Sequence, residues 1–208
     1  MTRWVATTGP SKSMINQFLQ FIKPLALTLI VIGFLQVTGL WSNATATAQL
    51  LVMKTGLLNI DVEESDAPAI FDYGFSVKDL SGNHISFDVY RGKVLFINLW
   101  ATWCGPCKAE MPGIQHLSEK LKDQPVTFVM ISVDKESSFP KVKSYIENNQ
   151  FTFPVFMPHG YLPDFMQVPS IPTTFVVSKD GKIIMKEVGS RNYDTNKMRN
   201  FLIKQASK

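Results

Sequence analysis

The chain has 208 residues, of which 45% are hydrophobic and 18% are charged. This balance predicts one globular domain with an additional segment, and it excludes an intrinsically disordered or collagen-like protein. The formal net charge is +4, but the residues from position 61 onward carry 17 basic and 17 acidic side chains. The main part of the chain therefore has no excess of basic residues, and we predict no nucleic-acid partner.

The amino-terminal segment is the most apolar part of the chain. Residues 24–53 contain no charged side chain, and basic residues precede them. As a helix rising about 1.5 Å per residue, the apolar run from Leu25 approaches the roughly 30 Å of bilayer hydrocarbon. We therefore predict a cytoplasmic segment over residues 1–24 and a transmembrane anchor over residues 25–45. The alternative is a signal peptide removed at the small-residue sites near residues 44–48, and both alternatives export the following domain.

A linker and a hairpin are predicted after this segment. Residues 46–67 are first apolar and then acidic, which indicates a juxtamembrane linker, and the folded domain is predicted over residues 68–208. Apolar and polar residues alternate over residues 75–77 and 85–89, on either side of a turn at Ser81–Asn83. This alternation predicts an N-terminal β-hairpin.

Strand and helix patterns alternate through the rest of the domain. Two continuous apolar runs, at residues 93–100 and 126–133, indicate strands that are covered on both faces. Helical periodicity follows each run, from Met111 and from Phe139, so the pattern predicts parallel strands joined by helices. The remaining predicted elements are a short apolar segment, a loop or helical turn, two strands and a last helix, at residues 153–157, 159–168, 173–177, 183–188 and from about 194.

The chain contains two cysteines, Cys104 and Cys107, which enclose Gly105 and Pro106 where a buried strand gives way to a helix. At a helix N-terminus the free backbone N–H groups and the helix dipole stabilise a thiolate, which lowers the pKa of Cys104. The thiolate is the form that attacks disulfides. Cys107 lies three residues further on the same helical face, where it can resolve a mixed disulfide. Gly105 allows a partner's backbone to come close.

Two other uses of the cysteine pair remain as alternatives. A structural disulfide would close a loop of only four residues and would constrain little of the unfolded chain. A zinc site needs two further ligands, and His84, His116 and His159 are scattered without motif spacing. We therefore predict a redox-active dithiol, with no metal and no cofactor.

The segment WATWCGPCKAEMP, at residues 100–112, resembles the active site of the thioredoxin superfamily. Residues 68–208 as a whole resemble the exported, membrane-tethered TlpA/ResA-like branch of that superfamily. The resemblance implies a thioredoxin-like α/β fold, with a central mixed β-sheet flanked by helices, an N-terminal β-hairpin, an inserted helix–strand element and a preceding transmembrane helix. It also implies that Cys104 is exposed and Cys107 is sheltered.

The segment Ser170–Thr174 resembles the cis-proline loop of the same superfamily. The resemblance implies a cis bond before Pro172 and places Ile171 opposite Cys104, where its backbone meets an extended substrate. Trp103 is expected to offer an apolar docking surface beside the dithiol. The predicted substrate-binding residues are the members of these two segments that face the dithiol: Trp103, Gly105, Pro106, Ile171 and Pro172.

The resemblance also implies a role for Glu110. In the resembled branch an acid at this place lies behind the dithiol and assists proton transfer, whereas on an ordinary amphipathic helix Glu110 would be a solvated surface charge. Asn98 stands where cytosolic thioredoxins carry a buried aspartate, and an amide cannot take up a proton. This difference favours Glu110 as the third catalytic residue beside Cys104 and Cys107.

These observations predict a thiol-disulfide oxidoreductase that reduces disulfides of exported proteins through Cys104 and Cys107. The predicted location is the cell inner membrane, crossed once, with the C-terminal domain in the periplasm or otherwise outside the cytoplasmic membrane. A membrane electron donor is implied, because an oxidising compartment does not keep a dithiol reduced. Apocytochrome c, another secreted protein and a general folding client all remain open as substrates.

Other functions of the same fold remain as alternatives. A disulfide oxidase or isomerase would use the same two cysteines in another direction. A copper-binding chaperone would hold the metal through Cys104 and Cys107, with His159 or Met157 as a further ligand. A peroxidase of the superfamily would need a lone peroxidatic cysteine after a Thr or Ser proline loop, and Cys104 lacks that setting.

Overall fold

A computed structural model of the chain describes residues 12–37, 52, 55–56, 58–60, 62 and 69–208. It divides into two compact units, Met1–Trp41 and Ser42–Lys208.

The described residues of the first unit form one helix, α1, over Lys12–Val37. It includes the first part of the anchor predicted over residues 25–45, whose remainder lies outside the described residues, as do the predicted cleavage sites near 44–48. Within the described part of the chain, no helix is both long enough and apolar enough to cross a membrane. The predicted transmembrane helix is therefore not confirmed by this structure.

The second unit is built on a mixed sheet, and the described residues contribute eight strands to it. The strands are β1 (Ala69–Ile70), β2 (Ser76–Asp79), β3 (His84–Ser86), β4 (Val94–Trp100), β5 (Val126–Ser132), β6 (Val155–His159), β7 (Thr173–Val177) and β8 (Lys182–Val188). Their order across the sheet is β1-β8-β7-β4-β5-β6-β2-β3. Strands β4, β5 and β6 run parallel, and the other pairs are antiparallel. The predicted mixed sheet is thus confirmed.

Three helices follow strands β4, β5 and β8 of this unit. They are α2 (Gly105–Lys120), α3 (Phe139–Asn148) and α4 (Asn196–Ser207). Helix α3 begins at Phe139, where the predicted helical periodicity starts, and the side chain of the preceding Ser138 makes no capping hydrogen bond. Helix α4 begins after Thr195, whose hydroxyl accepts the Met198 N–H at 3.1 Å and satisfies one free N–H of the first turn. Short 3-10 helices occupy Phe87–Tyr90, Glu136–Ser138 and Asp164–Met166.

Strand β4 lies at the centre of the unit and is buried on both faces. All seven of its residues are buried, which explains why its sequence is a continuous apolar run rather than an alternating one. Phe96 and Trp100 point into one core cluster with residues of α2, α3 and α4. Leu95 and Ile97 point into a second cluster on the other face, with the aromatic residues that precede and follow β2 and β3. The site at the end of β4 therefore rests on a strand held from both sides.

The N-terminal hairpin is present but shorter than predicted. Strand β3 ends at Ser86. Residues 87–89, which continue the alternating pattern in the sequence, belong instead to the 3-10 helix Phe87–Tyr90. Phe87 is fully buried and its ring stacks on Phe75 at a centroid distance of 4.3 Å. Burial of this ring turns the chain toward the core, so the strand pattern ends there.

Part of the predicted linker over residues 46–67 packs against the folded unit. The Ile60 N–H donates to the Asn192 carbonyl at 3.3 Å, and the Asn192 N–H donates to the Leu58 carbonyl at 2.7 Å. Ile60 is buried in the same core cluster as the helices. The chain segment that leads into the domain is thus fixed beside the loop that precedes α4.

Candidate active site

The two cysteines lie where β4 ends and α2 begins. Cys104 occupies the N-cap position of α2, and its sulfur accepts the Cys107 N–H at 3.1 Å. Pro106 falls in the first turn, where its missing N–H leaves no unsatisfied donor. The Cys104 carbonyl accepts the Lys108 N–H at 3.2 Å, which is the first helical hydrogen bond. A sulfur at this position receives a backbone N–H and the positive end of the helix dipole.

Cys104 and Cys107 form a disulfide with a Cα–Cα distance of 5.3 Å, so the structure is that of the oxidised protein. Cys104 is 5% exposed and Cys107 is fully buried. The order of exposure follows the expectation, but Cys104 is less exposed than the resemblance implies. Both cysteines pack into the core cluster on the helical face, and the Ile171 carbonyl oxygen lies 3.8 Å from the Cys104 sulfur.

The loop before β7 lies against the disulfide. The Ile171–Pro172 bond is cis, as the resemblance implies. The Pro172 carbonyl accepts the Gly189 N–H at 2.9 Å, and the Thr173 hydroxyl donates to the Ser170 carbonyl at 2.8 Å. The first bond ties the loop to the chain that follows β8, so Ile171 is held opposite Cys104 by the sheet itself.

The two tryptophans beside the dithiol have different environments. Trp103 is 61% exposed, whereas Trp100 is fully buried and packs against Tyr145 at a ring distance of 5.6 Å. Of the predicted substrate-binding residues in the dithiol segment, Gly105 is buried and Pro106 is partly exposed. Trp103 is therefore the large apolar surface next to the disulfide, and Trp100 belongs to the core.

Glu110 is buried one helical turn beyond Cys107 and is only 1% exposed, so a solvated surface charge is excluded. Asn98 donates its side-chain N–H to Glu110 Oε1 at 2.7 Å, and the Arg191 N–H donates to Oε2 at 3.2 Å. Burial raises the pKa of Glu110 to about 8, although both hydrogen bonds oppose the rise. Asn98 also donates to the Thr174 hydroxyl at 2.9 Å, which links Glu110 to strands β4 and β7.

Sequence reasoning missed Asp134, which lies just beyond β5 and is 8% exposed. Its carboxylate accepts hydrogen bonds from the Thr102 N–H at 2.8 Å and from the Thr102 hydroxyl at 2.7 Å. A signal was available, because Asp134 follows a continuous apolar strand that runs parallel to β4. Polar residues directly after adjacent parallel strands meet at one edge of the sheet, which here is the edge that carries Cys104.

No group of three or more histidine, cysteine, aspartate or glutamate side chains within the described ranges is arranged to hold a metal ion. The His159 ring lies against the His84 ring at a centroid distance of 3.7 Å. Met157 is 1% exposed and lies in the core. His159 thus packs against His84, whereas Met157 belongs to the core cluster that also contains both cysteines.

Comparison with known proteins agrees with this geometry. Residues 68–186 match the model of the AhpC/TSA family. The chain is 35% identical over 118 residues to thiol-disulfide oxidoreductase ResA of Bacillus cereus, which covers 56% of this chain and 67% of that protein. It is 31% identical over 129 residues to ResA of Bacillus subtilis, which covers 62% of this chain and 68% of that protein.

A solved structure from Chlorobium tepidum, described as a thiol:disulfide interchange protein of the thioredoxin family, shares the fold. Its TM-score is 0.52 at 26% identity, over 69% of this chain and 99% of that chain. The chain therefore belongs to the AhpC/TSA family and is a thioredoxin-like thiol-disulfide oxidoreductase that resembles ResA.

Proposed function

We propose that the protein is an exported protein-disulfide reductase. The observation that carries the proposal is the Cys104–Cys107 disulfide at the N-terminus of α2, with the buried carboxyl of Glu110 one turn behind it. This arrangement provides a stabilised thiolate, a resolving thiol and a group that exchanges protons.

The reaction begins from the reduced dithiol. The Cys104 thiolate attacks one sulfur of a substrate disulfide, so a new S–S bond forms while the substrate S–S bond breaks and its other sulfur leaves as a thiolate. The Cys107 thiol then loses its proton and attacks the Cys104 sulfur, which releases the second substrate sulfur. The substrate gains two electrons, the proton that Cys107 gives up through Glu110 and a second proton from solvent, and the protein is left with the disulfide described above.

The ionised form of Glu110, which a pKa of about 8 leaves as the minor form near pH 7, is proposed to receive the proton of Cys107 in the second step. A proton moves readily between groups of similar pKa, and the pKa of about 8 for Glu110 lies near the ordinary thiol value of about 8.5. The Glu110 carboxyl is held by Asn98 and by the Arg191 backbone, so its position is fixed while its charge changes.

The direction of electron flow rests on the Gly-Pro pair between the cysteines, which is also the dipeptide of thioredoxin. Thioredoxin is a reductant with a potential of about −270 mV, whereas a disulfide isomerase has a potential of about −180 mV. The test is equilibration with glutathione redox buffers, monitored by the intrinsic tryptophan fluorescence of the chain, with Cys104→Ser as the inactive control. A potential more positive than about −180 mV would overturn the reductase proposal in favour of an oxidase or isomerase.

Export is proposed from the sequence of the amino-terminal segment, where basic residues precede a long charge-free run. In an oxidising compartment the dithiol needs a supply of electrons, and we propose a membrane electron donor as the partner that restores it. The test is protease treatment of intact spheroplasts expressing the full chain with a C-terminal tag. Protection of the tag by the intact cytoplasmic membrane contradicts export, and degradation supports it.

The proposed substrates are disulfide-containing exported proteins, among them apocytochrome c, another secreted protein or a general folding client. Cys107→Ser leaves the nucleophile but removes the resolving thiol, so the mixed disulfide with the substrate accumulates. The trapped partner is then isolated from the compartment outside the cytoplasmic membrane and identified. The Cys104→Ser, Cys107→Ser double variant is the matched control, and equal capture by both proteins argues against the assigned division of labour.

A further inference from the structure

The segment Ala101–Trp103 connects β4 to Cys104 without regular secondary structure. The position of the nucleophile therefore depends on what holds these residues. Within the segment, the Cys104 N–H donates to the Ala101 carbonyl at 3.1 Å. Its side-chain anchor is Thr102, which is 2% exposed and donates both its N–H and its hydroxyl to the Asp134 carboxylate.

Asp134 is itself fixed to the sheet. The Ser132 hydroxyl donates to Asp134 Oδ2 at 2.8 Å, and the Asp134 N–H donates back to the Ser132 hydroxyl oxygen at 3.2 Å. Ser132 is the last residue of β5 and lies opposite Trp100 in the parallel ladder, which the Val133 N–H extends by donating to the Trp100 carbonyl at 2.8 Å. The carboxylate accepts hydrogen bonds from the Thr102 N–H, the Thr102 hydroxyl and the Ser132 hydroxyl, as an ionised carboxylate can only accept.

We propose that Asp134 is a positioning residue for Cys104, acting through Thr102. The chain of contacts runs from β5 through Asp134 to Thr102 and from there to the N-cap of α2. The loop of Ile171 has a separate attachment to the sheet, through the Pro172 carbonyl and the Gly189 N–H. Cys104 and the Ile171 loop opposite it are thus attached to the same sheet by two separate sets of hydrogen bonds. Loss of the Asp134 anchor displaces Cys104 relative to Ile171.

The inference rests on the dithiol chemistry of the proposed function, but not on its direction. A displacement of about 1 Å in a reacting group lowers a rate by up to about 100-fold. The effect is largest for a protein disulfide, which must fit between Cys104 and the Ile171 loop at once. A small soluble disulfide approaches Cys104 without that loop and is affected less.

The charge of Asp134 is separable from its hydrogen bonds. Burial and nearby Lys141 lower the pKa of Lys108, and the negative charge of Asp134 opposes this shift. In Asp134→Asn the amide oxygen accepts from the Thr102 N–H and from Ser132, while the amide nitrogen donates to the Thr102 hydroxyl oxygen, which has lone pairs to accept it. Asp134→Asn therefore removes the charge and keeps the anchor, whereas Asp134→Ala removes both.

The experiment uses the reduced full chain and compares the rates of reaction with insulin and with 5,5′-dithiobis(2-nitrobenzoate). For Asp134→Ala we expect the rate with insulin to fall about tenfold or more and the rate with the small disulfide to change about twofold or less. For Asp134→Asn we expect both rates to stay within about twofold of the wild-type chain. If Asp134→Ala does not fold, Thr102→Val removes one of the two contacts, with Thr102→Ser as its control.

Three results would overturn the inference. One is an unchanged insulin rate for the folded Ala or Val variant. Another is an equal loss on both disulfides, which indicates general damage to the thiolate rather than displacement from the loop. The last is an Asn variant as slow as the Ala variant, which assigns the effect to charge. Failure of the wild-type chain to react with insulin contradicts the proposed function instead, so the two failures are distinguishable.

Discussion

Replacement of Glu110 by glutamine tests the burial of this carboxyl through the pH dependence of stability. In the unfolded chain Glu110 has its ordinary pKa of 4.5, and burial raises the pKa to about 8 in the folded protein. The folded state therefore retains a proton that the unfolded chain has released between these values. The contribution of Glu110 to the free energy of unfolding has its full value below pH 4.5 and is lost as the pH rises to about 8.

The size of the decline follows from the two pKa values. At about 1.4 kcal/mol for each tenfold change in proton affinity, the rise from 4.5 to about 8 corresponds to about 5 kcal/mol. The side chain is 1% exposed, so solvent screening does not reduce this figure. In Glu110→Gln the residue is neutral at every pH, and this part of the pH dependence is lost.

The assay is urea unfolding of the oxidised protein between pH 5 and 9, under conditions that keep the disulfide intact. Between these limits the free energy of unfolding of the wild-type chain is expected to fall more steeply, by several kcal/mol, than that of Glu110→Gln. Glu147→Gln, at an exposed position of α3, is the matched control and should follow the wild-type curve. Parallel curves for wild type and Glu110→Gln would refute the assignment of a buried, protonated carboxyl.

Other substitutions test single contacts. Trp103→Ala should lower the rate with insulin several-fold while leaving the unfolding temperature unchanged, since this side chain is 61% exposed; a large drop in unfolding temperature would place it in the core. Trp100→Ala and Phe87→Ala should each reduce the free energy of unfolding by about 3–5 kcal/mol, because both rings are fully buried, and chemical denaturation measures the loss. Cys104→Ser should abolish turnover of a model disulfide followed by absorbance, whereas residual turnover would assign the attack to Cys107.

The core of the fold is predictable where one physical requirement dominates. Strands β4 and β7 are buried on every residue, and their predicted bounds agree closely with the structure. The run of β4 is apolar except for Asn98, and every residue of β7 is β-branched or aromatic. The start of α2 is predictable because proline is favoured in a first turn, where Pro106 lies, and because the C-x-x-C motif marks the place.

Features that depend on distant contacts are not visible in the local pattern. Phe87 alternates like a strand residue, but its ring stacks on Phe75 and the chain turns into a 3-10 helix. Ile60 lies in a segment whose sequence predicts a linker. Its hydrogen bond to the Asn192 carbonyl and its burial in the core cluster identify it as part of the folded unit. Tertiary packing overrides the local signal in both cases.

The functional site likewise combines residues that the local sequence identifies with residues that only distant contacts identify. Cys104 and Cys107 are evident from their spacing, whereas the burial of Glu110 depends on Asn98 and on the backbone of Arg191, which is far away in the sequence. Spacing on a helix gives the face that a residue occupies, but not whether another segment covers that face. To predict that Asp134 lies at the site, one must know that β4 and β5 are neighbours, and the sequence implied this only through the strand–helix–strand pattern.

The stretch from Ala69 to Ser86 supplies strands to both borders of the sheet. Strand β1 pairs with β8, through Ala69 and Ile183, while β2 pairs with β6 at the opposite side. A polypeptide that emerges from its amino terminus first must hold β1 without a partner until β8 has also emerged. Completion of the sheet is thus a late event in biogenesis, set by a pairing of high sequence separation, and such pairings slow folding. Until β8 emerges, the edge of β7 with which it pairs is uncovered. A chaperone that binds unfolded chains would protect the newly made chain at this edge.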